Sequence, residues 1–141
     1  MEAIGIAANL IAVVDLTVKI SSACLKYSKD VKNASADIEM LSQEVMSLQR
    51  VTEQIQALLN KSDGKKLKSS MGLVKSLEES KTKLQSISDN LKPSKTYKLK
   101  RKFRISASLK WPFKHEDVEK IVQHFQQQTQ IISLTLQTDQ T

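Results

Sequence analysis

Two histidines, His115 and His124, one cysteine, Cys24, and fifteen Asp or Glu are the side chains here that could hold a metal, move a proton or attack an electrophile. Their spacing argues against all three. The histidines are nine residues apart, which at 3.6 residues per turn sets them on opposite sides of one helix. Cys24 stands in an apolar helical stretch without a partner in the chain, and it reads as a small core side chain in a reducing compartment. The acids are dispersed, and the chain holds no Gly-rich phosphate loop and no Cys/His ligand spacing. No nucleophile can be grouped with a base and an orienting residue. The expectation is a protein that is not an enzyme and uses no cofactor or metal.

What remains is the chemistry of charged and apolar surfaces. Between Lys92 and Lys114 lie nine Lys or Arg and no acid, so this segment carries +9 and leaves −2 for the rest of a chain whose net charge is +7. Tyr97, Phe103, Trp111 and Phe113, four of the six aromatics, fall in it too. Lys95, Lys98, Lys100, Arg101, Lys102 and Arg104 are candidates for binding anionic lipid. If half of them reach an anionic leaflet at about 1 kcal/mol each, the gain is roughly a hundredfold in local concentration. The box Lys110-Trp111-Pro112-Phe113-Lys114 places Trp111 and Phe113 where aromatics suit the headgroup level. Lys98-Leu99-Lys100-Arg101-Lys102 also has the form of a nuclear-import or phosphate-binding cluster. Nucleic acid ranks below lipid as a partner, because no groove-reading motif accompanies it. The plain alternative is a solvated basic loop whose aromatics pack on the body of the protein.

At the N-terminus, Ala3 to Val14 is free of charge. A secretory signal would have positive charge ahead of the run and a cleavage site after it, whereas here Glu2 precedes, Asp15 follows and the helical pattern continues to Tyr27. Twelve apolar residues are also short of a constitutive span, which needs about 20. The run reads as a core helix with a second possible state. Nine large aliphatic residues between Ile4 and Ile20 favour insertion by roughly 0.3 to 0.6 kcal/mol each, while Asp15 costs about 2.5 to 3.5 and Asn9 and Lys19 add to that. The balance is near zero. Insertion would therefore need an oligomer that turns Asp15 and Asn9 toward water, and small residues four apart, Ala3/Ala7 and Ala8/Ala12, would permit close helix contact.

The elements that position these features are helical throughout. Three glycines, two prolines and no alternating β-branched runs occur in a chain with 40% apolar and 26% charged residues, the composition of one all-α domain. Helix 1 spans about 2–27, with the polar stripe Asp15, Lys19, Ser22 and Lys26. Helix 2, about 35–60, starts at Ser35 and repeats Ile38, Leu41, Val45, Leu48, Thr52, Ile55 and Leu59. Ser62-Asp63-Gly64 ends it with turn chemistry. Helix 3, about 66–91, carries Leu73, Leu77, Leu84, Ile87 and Leu91 and stops before Pro93. The last helix, about 115–137, repeats Val118, Phe125, Ile132 and Leu136, with Val122 and Thr129 filling the seam and acids in its first turn. Four such seams predict a four-helix bundle. In the basic segment, 92–114, Tyr97, Phe103 and Leu109 could form a short extra helix.

Taken together, Met1-Glu2-Ala3-Ile4-Gly5 to Asp15-Leu16, the Asp37-Ile38-Glu39 to Leu48 pattern, the Lys-Trp-Pro-Phe-Lys box and the closing Leu134-Thr135-Leu136-Gln137-Thr138-Asp139 resemble the HeLo-like N-terminal domain of fungal STAND (NLR-type) proteins. The resemblance covers essentially the whole chain. It implies a cell-death effector similar to the HeLo domain of the HET-S incompatibility protein and to the helical bundle of the mixed-lineage kinase domain-like protein. Such domains form homo-oligomers on activation and permeabilise the plasma membrane with their N-terminal helix, having been cytoplasmic at rest. Carried over to this chain, the inserting residues would be Ala3, Ile4, Ile6, Ala7, Leu10, Ile11, Val13 and Val14, with Glu2 and Asp15 as acidic flanks. The nucleotide-binding or amyloid-forming sensor that such domains usually precede is not in this sequence, so the chain reads as a fragment or as a stand-alone version. The competing expectation is a helical interaction module with no membrane activity.

Overall fold

The computed structural model describes residues 2–61, 70–104 and 109–140, and every regular element among them is an α-helix. α1 covers Glu2–Asp30, α2 Ser35–Lys61, α3 Ser70–Leu91, α4 Lys95–Lys102 and α5 His115–Gln140. The long helices lie where the periodicity puts them, and α1 and α5 run on for three residues past the expected ends. In α1 nothing breaks the run: Ser28 donates its hydroxyl to the Leu25 carbonyl at 2.8 Å, and Lys29 sets a cation in the last turn, at the negative end of the helix dipole. Residues 66–69 of the expected third helix and the Ser62-Asp63-Gly64 turn lie outside the described residues. So do the side chains of Glu2, Ala3 and Ile4.

Burial follows one rule on all four long helices. The buried positions include Ile6, Leu10, Val13, Thr17, Ile20, Cys24 and Tyr27 on α1, with Leu16 beside them, and Ile38, Leu41, Val45, Leu48, Thr52 and Ile55 on α2. On α3 they include Leu73, Leu77, Ser80, Leu84, Ile87 and Leu91, and on α5 Val118, Ile121, Phe125, Gln128, Ile132 and Thr135. Steps of three and four alternate along each series, the average of 3.5 that lets knobs of one helix enter holes of another at a small crossing angle. α1 and α5 each pack against both α2 and α3, so the four stripes share one core. Two hydroxyls inside it are satisfied locally, Thr17 by the Val14 carbonyl at 2.7 Å and Thr52 by the Leu48 carbonyl at 2.6 Å.

α5 buries the expected Val118, Phe125, Ile132 and Leu136 but fills the seam between them differently. Val122 and Thr129 are half-buried, and Ile121, Gln128 and Thr135 take the inner positions beside Phe125 and Ile132. Ile121 and Val122 are equally apolar, so the pattern alone does not choose between them. Gln128 enters the core because α3 supplies its partners: Ser76 donates to Gln128 Oε1, and Gln128 Nε2 donates to Glu79 Oε2 at 3.0 Å. Gln128→Leu should cost about 1–3 kcal/mol by leaving the buried Ser76 hydroxyl unpaired, and adding Ser76→Ala should recover most of that loss. Urea unfolding of the four proteins in this cycle checks it; strictly additive losses would show that the two side chains are not coupled.

Candidate functional site

The basic segment is fastened to the body at both ends. At its start α3 stops before Pro93, and the Leu91 carbonyl accepts the Tyr27 hydroxyl of α1 at 3.0 Å. Ser94 then caps α4, its hydroxyl accepting from the Tyr97 backbone N–H at 3.1 Å. Lys100, Arg101 and Lys102 fill the last turn of α4, where the helix dipole favours cations. Phe103 closes the helix by donating its N–H to the Leu99 carbonyl, and Arg104 turns the chain away with a left-handed φ of 57°. At the far end Leu109 is buried, and its N–H donates to Asp30 Oδ2 at 3.4 Å. Leu109 belongs to no helix, so the extra helix is shorter than the Tyr97-to-Leu109 span that the sequence suggested. Residues 105–108 lie outside the described residues.

Tyr97 is half-buried and packs on the core cluster. At 100° per residue this turns Lys95, Lys98, Leu99, Lys102 and Phe103 to the outside. All six candidate cations, Lys95, Lys98, Lys100, Arg101, Lys102 and Arg104, are exposed, and among the described residues none of them pairs with an acid. Leu99 and Phe103 stand 55% and 66% exposed among them. The structure places Trp111 and Phe113 differently from this pair. Both are half-buried against the core, Trp111 edge-on to Tyr27 at 5.4 Å and to Phe113 at 5.2 Å. The outward apolar contacts of this region are therefore Leu99 and Phe103, four apart on α4, a spacing visible in the sequence.

The N-terminal candidates divide by face. Ile6, Leu10 and Val13 are buried, Ala7 and Val14 are half-buried, and Ile11 is 61% exposed. Ile11, Val18 and Leu25, seven apart, form an apolar line on the outer side of α1. Asp15 lies on that side as well and pairs with Lys19 at 3.1 Å. By length and composition α1 is apolar enough to cross a membrane, a property shared with core helices of soluble proteins. Ala3, Ile4 and Glu2 belong to α1, with side chains outside the described residues.

The two histidines do not meet. His115 Nδ1 lies 2.6 Å from Asp37 Oδ1 at the start of α2, and its Nε2 lies 2.8 Å from Glu119 Oε1. The hydrogen bond and charge of Asp37, with Glu119 adding to them, hold the imidazole pKa above its ordinary value. His124 faces α3, where burial lowers its pKa, Lys83 acts in the same sense and Glu79 opposes. A raised folded-state pKa contributes stability that is full below the unfolded value near 6.5 and is lost as pH rises through the folded value. His115→Gln should thus lower the thermal midpoint more at pH 5.5 than at pH 8.5. An equal loss at both pH values would remove the ion pairs from the account.

Among the described residues no group of three or more His, Cys, Asp or Glu could hold a metal. Comparison of the chain with protein-family models, with curated proteins and with solved structures finds no match.

Proposed function

We propose that this chain is a non-enzymatic, HeLo-like cell-death effector domain. The four long helices form a four-helix bundle that rests in the cytoplasm. Clustering, driven by a sensor domain elsewhere in the parent protein, brings several copies to an anionic plasma membrane through α4, where α1 is released and permeabilises the bilayer.

The observation that carries this reading is that α1 is apolar on two sides. Ile6, Leu10 and Val13 fill the core while Ile11, Val18 and Leu25 stand in water. A helix made only to pack in a core gains from a polar outer face, and burying each outer side chain would be worth about 1.5–3 kcal/mol. Lipid covers both sides at once. Leaving the core uncovers Ile6, Leu10 and Val13, so the reading requires clustering and lipid together to offset that loss. The Asp15–Lys19 pair would travel with α1 and would face a water-filled interior of the oligomer.

The second reading, an interaction module, draws on the same outer line, since Ile11, Val18 and Leu25 at heptad spacing also suit a partner helix. Dye release from vesicles by the protein fused to an inducible oligomeriser separates the two. Release that needs clustering, anionic lipid and residues 1–14, with the shortened variant checked for helicity, supports the effector. Intact vesicles around a folded, clustered protein support the module.

A further inference from the structure

Two clefts adjoin where α1, the end of α3 and α4 come together. The first, about 380 Å³, runs between α1 and the end of α3 and is apolar at Val18, Ala23, Leu91 and Leu109. The second, about 560 Å³, opens toward α4 and is mixed, with Lys92, Lys100 and Lys110 beside Tyr97, Leu109 and Pro112 on its walls. Tyr27, Lys92, Pro93 and Leu109 line both, so the clefts adjoin. Among the described residues no Asp or Glu lines either one, although Asp30 accepts the N–H of Leu109, whereas five lysines do, the other two being Lys19 and Lys26 on the apolar side. Lys19 and Lys92 have acidic neighbours outside the clefts, Asp15 and Asp89.

An apolar trough beside one walled by three lysines and, among the described residues, by no acid matches a molecule with one hydrocarbon tail and one anionic head. Each volume falls within the range of small-molecule clefts, about 300–1,000 Å³. We propose that this groove binds a single-chain phospholipid monomer, the tail against Val18, Ala23 and Leu91 and the phosphate between Lys92, Lys100 and Lys110. This deepens the reading of the basic segment as a lipid-binding element, and it assigns that element a stoichiometric site distinct from the outer face of α4. Lys100 lies on the inner side of α4, next to Tyr97 by helical geometry, while Lys95, Lys98 and Lys102 point outward.

Trp111 is the sole tryptophan and packs on Tyr27, which lines both clefts, so its emission reports occupancy. The full chain is titrated below the micellar concentration with lauroyl lysophosphatidic acid, with glycerol phosphate as head alone and with monolaurin as tail alone. The expected result is saturation at one molecule per chain, with lysophosphatidic acid at least about tenfold tighter than either part, since burying even two methylenes is worth that factor over glycerol phosphate and hydrogen bonds to a charged phosphate are worth as much over monolaurin. Ala23→Phe and, from the α3 side, Ser88→Leu should each weaken lysophosphatidic acid about tenfold or more and leave glycerol phosphate unchanged. Lys92→Gln with Lys110→Gln should weaken both. Equal affinity for lysophosphatidic acid and glycerol phosphate, equal affinity for it and monolaurin, or no saturable change overturns the groove. Dye release by the clustered protein is read separately: intact vesicles beside saturable lysophosphatidic acid binding overturn permeabilisation alone, and release without such binding overturns the groove alone.

Discussion

Replacing Lys95, Lys98, Arg101 and Lys102 together by glutamine should detach the protein from anionic vesicles while leaving its thermal unfolding unchanged. Each cation near an anionic surface contributes about 1 kcal/mol, so four amount to a loss of nearly a thousandfold in partitioning at low salt. Stability should hold because all four are exposed and, among the described residues, unpaired with acids, and glutamine keeps a similar helix propensity. Vesicle co-sedimentation at rising ionic strength gives the check. The native protein should lose binding as salt screens the charges, and the variant should bind weakly throughout. A loss below tenfold at low salt would move the contact from α4 to Lys92, Lys110 and Lys114.

Phe125→Ala should lower stability by about 3–5 kcal/mol. Phe125 is the largest fully buried side chain, midway along α5 on the helix that packs against both α2 and α3. Domains of this kind have about 5–15 kcal/mol in all, so much of the protein would sit near its unfolding midpoint at 37 °C. The fitting control is Phe103→Ala, because Phe103 is 66% exposed and surface replacements change stability by about 0.5 kcal/mol or less. Urea midpoints of the two variants test the contrast. A loss under about 1 kcal/mol at Phe125 would mean that the surrounding helices close into the space.

How much of this was legible in the sequence depended on what kind of signal each part left. The seams on α2 and α3 were plain, since Leu41, Val45 and Leu48 or Leu84, Ile87 and Leu91 repeat without competitors, whereas on α1 only the outer polar stripe Asp15, Lys19, Ser22 and Lys26 stood out. On α5 the pattern was degenerate at Ile121-Val122, and a polar residue, Gln128, takes a core position that hydrophobic periodicity assigns to neither neighbour. Its partners Ser76 and Glu79 are about fifty residues away, beyond the reach of any local pattern. In the basic segment the cations were legible individually. Which aromatics face inward was not, because Trp111 is held by Tyr27 and Phe113 through contacts across the fold, while Leu99 and Phe103 are left outside.

The packing of α1 against α2 and α3 has a consequence for how the molecule comes apart. α5 bridges the same two helices from the rest of the core, and α1 joins α2 through residues 31–34 alone. Withdrawing α1 leaves α2, α5 and α3 still in a row of contacts. Its departure would be a sub-global opening, and a costly one, because α1 packs more extensively on α2 and α3 than α5 does.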